Sequence, residues 1–369
     1  MRPSFRLFIS LLFSIFIFLS NRSRLPAAET GPFGGSLNFQ TGFHDQGGPL
    51  SYFQVTRFLI DRRDELAPDL TLGTGGEADW LADQNPLAVP WPEQGAANLV
   101  DLEWNNFDST DGINYETLRL NRMNLQWASG GFETTLGLQA FDWGSGHFYQ
   151  PTRYFDPLSP LVLAREEPEG SEGADASYFL FDDLSLEGAV RFLSGGAAEW
   201  VIRLPNQGIG FSATPSFARL SGRDGIGWDA SLTFPTFQAR FEGTRWAFSG
   251  GAGVLETVAG LSTVLDSSAL VLEWLHDGTG EAVGRFSNRA PDADYVFFSW
   301  ERPLGKNWKI LPVLVKSMEG GPLLFWPKVR WDFAEDWEFG LESQVGIGCS
   351  PGPLALNPDR VLMEVGVHF

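Results

Sequence analysis

The last nine residues, Val361 to Phe369, read VLMEVGVHF. In an extended chain Val361, Met363, Val365, Val367 and Phe369 fall on one side, and Leu362, Glu364, Gly366 and His368 on the other. A period of two is the signature of a β-strand, whose successive side chains point to opposite faces. The stretch before it repeats the scheme: Trp337, Phe339, Leu341, Val345 and Ile347 alternate with Glu338, Gly340, Glu342, Gln344 and Gly346. Charges and glycines share one face, large apolar residues the other.

Further back the same alternation recurs. Leu184, Leu186, Val190 and Phe192 oppose Ser185, Glu187 and Arg191; Trp200, Ile202 and Leu204 oppose Glu199 and Arg203. Ile226, Trp228, Ala230, Leu232 and Phe234 oppose Gly227, Asp229, Ser231 and Thr233; Phe237, Ala239 and Phe241 oppose Gln238, Arg240 and Glu242. Gly, Pro, Asn and Asp interrupt the pattern every ~10 residues, where turns belong. A soluble sandwich also alternates. Three features favour a membrane barrel instead: strands of about the 9–11 residues that a tilted span needs, aromatic residues at strand ends, and an apolar face that points outward all the way round. The expected fold is all-β, a transmembrane antiparallel β-barrel of about 16–18 strands.

The start of the chain sets the compartment. Arg2 and Arg6 precede the apolar run Leu7 to Leu19, and the small residues Ala27 and Ala28 come after a short polar stretch. This reads as a signal peptide over residues 1–28, the run being shorter than the ~20 residues of a helical span. No later run is long enough for such a span, so residues 29–369 are expected to form a single barrel domain. Residues 1–28 hold four Arg and no acid, so the whole-chain charge of −20 becomes −24 in the remainder. Nucleic acid is a poor partner for such a chain, because phosphates are neutralised by clustered Lys and Arg. Cys349 is the single cysteine, which excludes an intrachain disulfide and a cysteine-based metal site. The 42 Gly, 31 Phe and 14 Trp fit sheet structure with interfacial aromatic anchors.

Counting back from Phe369 tests the barrel, since both ends of a bacterial barrel lie on the periplasmic side, where turns are short. Tight turns are expected at Asp332 to Asp336, Pro303 to Lys306, Asp266 to Ser268, Phe234 to Thr236, Pro205 to Gly208, Asp182 to Asp183 and Ala128 to Gly131. Longer connections fall on the other side, Gly348 to Asp359, Asp277 to Asp292 and Gly144 to Ser171, although some there, such as Ser194 to Ala197, are short. Ser36 to Phe43 and Tyr52 to Ile60 read as strands, while Asp69 to Trp80 and Asn98 to Trp104 compete for the next position. Thr71 to Gln94 is alternatively a segment that enters the lumen. Leu118 and Leu120 change phase to Met123, Leu125 and Trp127, which places a bulge near Asn121.

The segment Leu118 to Pro160 reads LRLNRMNLQWASGGFETTLGLQAFDWGSGHFYQPTRYFDPLSP. It resembles a hairpin and loop of large porin-like outer-membrane barrels of the alginate-export and related kinds. Arg-containing strands there flank a strand ending in Trp-Gly, then a Pro-containing loop with an aromatic-Asp-Pro cluster. The matching positions are Arg119 or Arg122, Gln139, Trp143, Gly144, Gly146, Pro151, Phe155, Asp156 and Pro157; Asp142 stands where a basic residue is expected. Gly144 and Gly146 allow a sharp departure from the strand, and Pro151, Pro157 and Pro160 stiffen the loop beyond it. Residues 144–171 are thus either a constriction folded into the lumen or a surface loop.

With apolar positions toward lipid, the inner wall collects Glu187, Arg191, Glu199, Arg203, Arg240, Glu242, Lys328, Arg330, Glu338, Glu342 and Glu364, with Arg119 and Arg122 as further lumen candidates. Such a set is either a lattice of ion pairs or the lining of a solute path. Of the four histidines, His44, His147, His276 and His368, none has metal-ligand spacing. His147 with Ser145 and Asp142 can be drawn as a hydrolytic set, yet polar residues on a Gly-rich turn are ordinarily turn chemistry. No cofactor, metal or catalytic activity is expected. The expected function is a porin-like channel for small polar or charged solutes, the alternative a structural or export-accessory barrel with a plugged lumen. The expected partners are the outer-membrane bilayer and, through the C-terminal strand ending in Phe369, the barrel-assembly machinery; oligomeric state is not legible.

Overall fold

The computed structural model describes residues 33–45, 51–83, 103–108, 113–141, 143–155, 170–193, 196–248, 251, 253–278, 293–320, 323–348 and 359–368. Residues 1–28, expected from the sequence to be a signal peptide, lie outside them. Among them are twenty strands: β1 (Phe33–Asp45), β2 (Ser51–Ala67), β3 (Leu70–Asp83), β4 (Glu103–Asp108), β5 (Ile113–Ser129), β6 (Phe132–Gln139), β7 (Ser171–Phe181), β8 (Leu184–Phe192), β9 (Ala198–Arg203) and β10 (Asn206–Gly208). The second half contributes β11 (Phe211–Leu220), β12 (Arg223–Thr233), β13 (Phe237–Phe248), β14 (Val254–Leu265), β15 (Ser268–Asp277), β16 (Ala293–Leu304), β17 (Trp308–Ser317), β18 (Leu323–Ala334), β19 (Trp337–Ile347) and β20 (Asp359–His368).

Each strand pairs with its neighbours, and the ladder returns on itself: β20 pairs antiparallel with β1 from Ser36↔His368 to Asp45↔Asp359. The sheet is therefore a closed barrel, which removes the exposed edges that an open sheet would carry. Two pairs of segments share a stave. β9 and β10 both lie between β8 and β11. β4 and β6 both pair with β5 on the side away from β3. The twenty strands thus make eighteen staves among the described residues.

Short turns close one end of the barrel, at 68–69, 130–131, 182–183, 209–210, 234–236, 266–267, 305–307 and 335–336. Asp266 and Ser267 take φ of 46° and 61°, the left-handed pair that matches strand twist in a two-residue hairpin. The longer connections join strands at the other end, which also carries one two-residue turn, at 221–222.

Three sequence expectations shift. The turn anticipated at Pro205 to Gly208 falls instead at 209–210, because the stave runs on through the proline. Pro205 lacks only the donor, and its carbonyl still accepts the Ser185 N–H at 3.0 Å. Of the segment Thr71 to Gln94, residues 71–83 do not enter the lumen but belong to strand β3 of the wall, paired with β2 and β5, and 84–94 lie outside the described residues. Of the two competing stretches, 70–80 belongs to β3 and 103–104 begin β4, on opposite sides of β5, while 98–102 lie outside the described residues. The bulge is where the phase change places it. Gly75 pairs with Arg122 and Gly76 with Leu120, leaving Asn121 as the extra residue.

Burial separates the two faces. Phe217, Ile226, Leu232, Phe241, Leu255, Leu261 and Leu272 are exposed, while the intervening Ser216, Glu242, Thr244, Glu256 and Glu273 are buried. Aromatic residues crowd the turn end of the exposed face, with Trp308 stacked on Trp331 at 5.0 Å and Phe234 on Phe237 at 4.4 Å.

Candidate functional site

The chain leaving β6 turns back onto the buried face of the wall. Gly144 supplies the turn with a φ of 106°, a backbone region costly for any other residue. From Ser145 to Thr152 the segment has no strand partner, so its N–H groups need other acceptors. Two carboxylates of the wall, Glu242 and Glu273, provide them for five of these groups, and a third on the strand between, Glu256, takes side-chain donors. Glu242 of β13 accepts the N–H of Ser145 and of Gly146 on Oε2, at 2.8 and 2.9 Å. Its Oε1 accepts the N–H and the hydroxyl of Thr152, at 2.8 and 2.7 Å. Glu273 of β15 accepts from His147 at 2.6 Å and from Phe148 at 2.9 Å. Glu256 of β14 accepts the Tyr149 hydroxyl at 3.0 Å and the Trp246 indole N–H at 2.6 Å. Hydrogen bonds to a carboxylate are the stronger kind, and they offset part of the cost of burying the charge.

Packing completes the attachment. Phe148 stacks on Phe297 with centroids 4.9 Å apart and planes at 17°. Tyr149 is buried in a cluster with Val258, Leu275, Tyr295, Val315 and Trp326. The inner face is therefore not polar throughout: β14–β18 give it an apolar sector, which the alternation conceals because both faces of those strands are apolar there. Tyr154 is buried against Gly227, where a side chain would collide with the phenol; its hydroxyl shares a hydrogen bond of 2.6 Å with Ser216. Burial pushes the Tyr154 hydroxyl pKa up. Phe155 meets Phe141 edge-on at 4.8 Å.

The inward charges anticipated from alternation are mostly joined across neighbouring strands. Arg191 and Glu199 are directly opposed and form a buried ion pair; Arg191 also donates to the Phe155 carbonyl. Arg203 meets Glu187 at 3.0 Å and Lys328 meets Glu342 at 3.2 Å, each pair again directly opposed. Arg330 lies 3.7 Å from Glu338. Two of these cations also cover the segment, Arg191 over the Phe155 ring at 5.2 Å and Arg203 over Trp143 at 5.0 Å. Arg240 differs: it donates to Gln238 at 2.7 Å and, among the described residues, forms no ion pair. Arg122 and Glu364 are half-buried. The backbone register sets Arg119 between Glu77 and Glu103. Asp156, Pro157 and Phe369 lie outside the described residues.

His147 is exposed. Partial desolvation by the wall and the nearby Arg240 guanidinium push its imidazole down to about 4, which leaves it neutral at neutral pH. Ser145 gives its hydroxyl to Asp229 at 2.5 Å rather than to His147, and Asp142 lies outside the described residues. The drawn hydrolytic set is thus not brought together. Among the described residues, no group of three or more His, Cys, Asp or Glu is placed to hold a metal ion.

Alternation did not single out Glu256, Glu273, Asp229 or Tyr154 as anchors. The available signal was a lone carboxylate inside an otherwise apolar strand, as in Leu270 to Leu275, LVLEWL.

No protein-family model matches the sequence, and comparison with curated proteins gives no match. Solved structures do match in fold. Pseudomonas aeruginosa OccK7 (OpdD) is 10% identical with a TM-score of 0.60, over 93% of this chain and 99% of that one. Pseudomonas aeruginosa OccK5 (OpdH) is 11% identical with a TM-score of 0.61, over 92% and 99%. Acinetobacter baumannii OccAB1 is also 11% identical at 0.61, over 92% and 98%. At such identities the likeness is one of fold, and it extends over nearly the whole barrel.

Proposed function

We propose that the protein is a porin-like channel of a Gram-negative outer membrane, passing small polar or charged solutes. The observation that carries this reading is the attachment of residues 145–152 to the buried face of a closed barrel through Glu242, Glu256 and Glu273. A segment held inside a barrel narrows its lumen to a fixed aperture, and the exposed apolar face outside is the surface that lipid covers. Asp229, Arg240, Glu187 and Arg330 are only partly buried on the inward face, and they line the path with both signs of charge. Export would be directed by residues 1–28 and insertion by the C-terminal strand, through the assembly machinery.

A second reading, an accessory barrel with a plugged lumen, draws on the depth of the apolar sector, where Ala293 and Val315 are fully buried. Conductance across a planar bilayer separates the two. The channel reading expects discrete, ohmic steps from purified protein, larger for Phe148→Ala, which removes a ring from the aperture. Refolded barrels that insert and stay silent at every voltage would overturn it in favour of the plug.

A further inference from the structure

On the outward face, near the end that carries the longer connections, Arg245 of β13 sits between Ile226 of β12 and Leu255 of β14 in the register. Those neighbours are 61% and 40% exposed, so the guanidinium stands on an apolar surface. It is itself exposed, and among the described residues it has no hydrogen-bond or ion-pair partner. Across the sheet Arg219 of β11 lies over the Trp200 ring at 5.8 Å and bonds Asp224 at 2.8 Å, with more than half of its side chain open. Arg219 opposes Asp224, and Arg245 opposes Ile226 two residues further along β12. Strand spacing and rise put the two arginine Cα atoms roughly 12 Å apart, within reach of one group for two extended side chains. With Asp224 the trio carries a net charge of one positive.

We propose that Arg245 and Arg219 bind the phosphate of an anionic lipid headgroup in the leaflet at the loop end. The proposal rests on the reading of the exposed face as lipid-covered. A guanidinium on that face is costly within the hydrocarbon and nearly free at its boundary. The long side chain lets the charge reach the headgroup layer while its stem covers apolar surface. The planar donor fork fits phosphate oxygens in pairs. Trp200 adds an amphipathic ring at the same level, the kind of anchor favoured where hydrocarbon meets headgroups. The site also sets depth: the apolar rows from Ile226 toward the turns lie in hydrocarbon, and those beyond Arg245 lie among headgroups.

The test uses the whole barrel in nanodiscs of phosphatidylcholine with a minor fraction of phosphatidylglycerol, and native mass spectrometry to count the lipids retained. The unaltered protein is expected to keep phosphatidylglycerol in preference to phosphatidylcholine. Arg245→Ala and Arg219→Ala are each expected to weaken that preference about fivefold, and Arg245→Lys to restore part of it. Equal retention by the alanine variants overturns the site, and so does displacement of the lipid by millimolar inorganic phosphate, which would show that the headgroup at the membrane is not the ligand. A barrel that enters no bilayer, with or without the phosphatidylglycerol, overturns the membrane reading itself.

Discussion

Glu273 lies 126 residues beyond His147 in the chain, yet its Oε1 accepts the His147 backbone N–H at 2.6 Å. A side chain of the wall thereby takes the role that a partner strand plays for the rest of the backbone. Glu242 does the same for Ser145, Gly146 and Thr152, so the segment is hydrogen-bonded to the wall although it belongs to no strand.

Glu242→Gln replaces a charged acceptor of four hydrogen bonds with a neutral one that offers a single oxygen. Hydrogen bonds to charged groups contribute ~1.5–3 kcal/mol each, so amide exchange at Ser145, Gly146 and Thr152 is expected to quicken by about ten- to a hundredfold. The Phe148 amide, held by Glu273, should keep its protection. Exchange measured by mass spectrometry on the folded barrel checks both parts; unchanged protection at Gly146 would show that Glu242 does not hold the segment.

Gly227→Ala puts a methyl group where the Tyr154 hydroxyl sits. Overpacking of this kind costs ~1–3 kcal/mol, and a lower melting temperature is expected. Removing the hydroxyl in the double variant with Tyr154→Phe should recover part of that loss. Two losses that simply add would sever the connection between the two positions.

His147 makes stability depend on pH with a definite sign. The unfolded imidazole titrates near 6.5 and the folded one at about 4. Between those values the unfolded chain binds the proton and the folded chain does not, so acid favours unfolding. The contribution is intact above 6.5 and is lost as the pH falls toward 4. Because the ring is exposed, the effect is a fraction of the full linkage value. His147→Gln is expected to show a smaller drop in melting temperature than the unaltered protein between pH 7 and pH 4.5; an identical drop in both would exclude the residue.

The barrel was legible because its evidence is local and repeats. The alternation around Val361 to Val367 and the phase change at Asn121 each arise from side-chain periodicity, which the closed sheet imposes on every stave. Pro205 misled because a missing donor reads as a break, while a ladder needs only the carbonyl on that side. The anchoring carboxylates were less legible for a different reason. Glu242 could be assigned to the inner face, but nothing near it in the chain announces that its acceptor oxygens serve residues some 90 positions earlier. The apolar sector of β14–β18 was hidden in the same way, since an inward Val or Phe looks like an outward one until the partner Phe148 is known.

The pairing of β1 with β20 has a consequence for how the molecule comes into being. Ten rungs join residues 36–45 to residues 359–368, the most distant parts of the wall along the chain. That seam cannot form until both ends of the wall are present, so β1 must wait with one edge unsatisfied while the staves between pair with their neighbours along the chain. Loss of the final strand would leave not a narrower cylinder but an open sheet with two sticky margins, prone to pairing with another copy. Closure of the wall thus depends on its last strand as much as on its first, whatever lies between them.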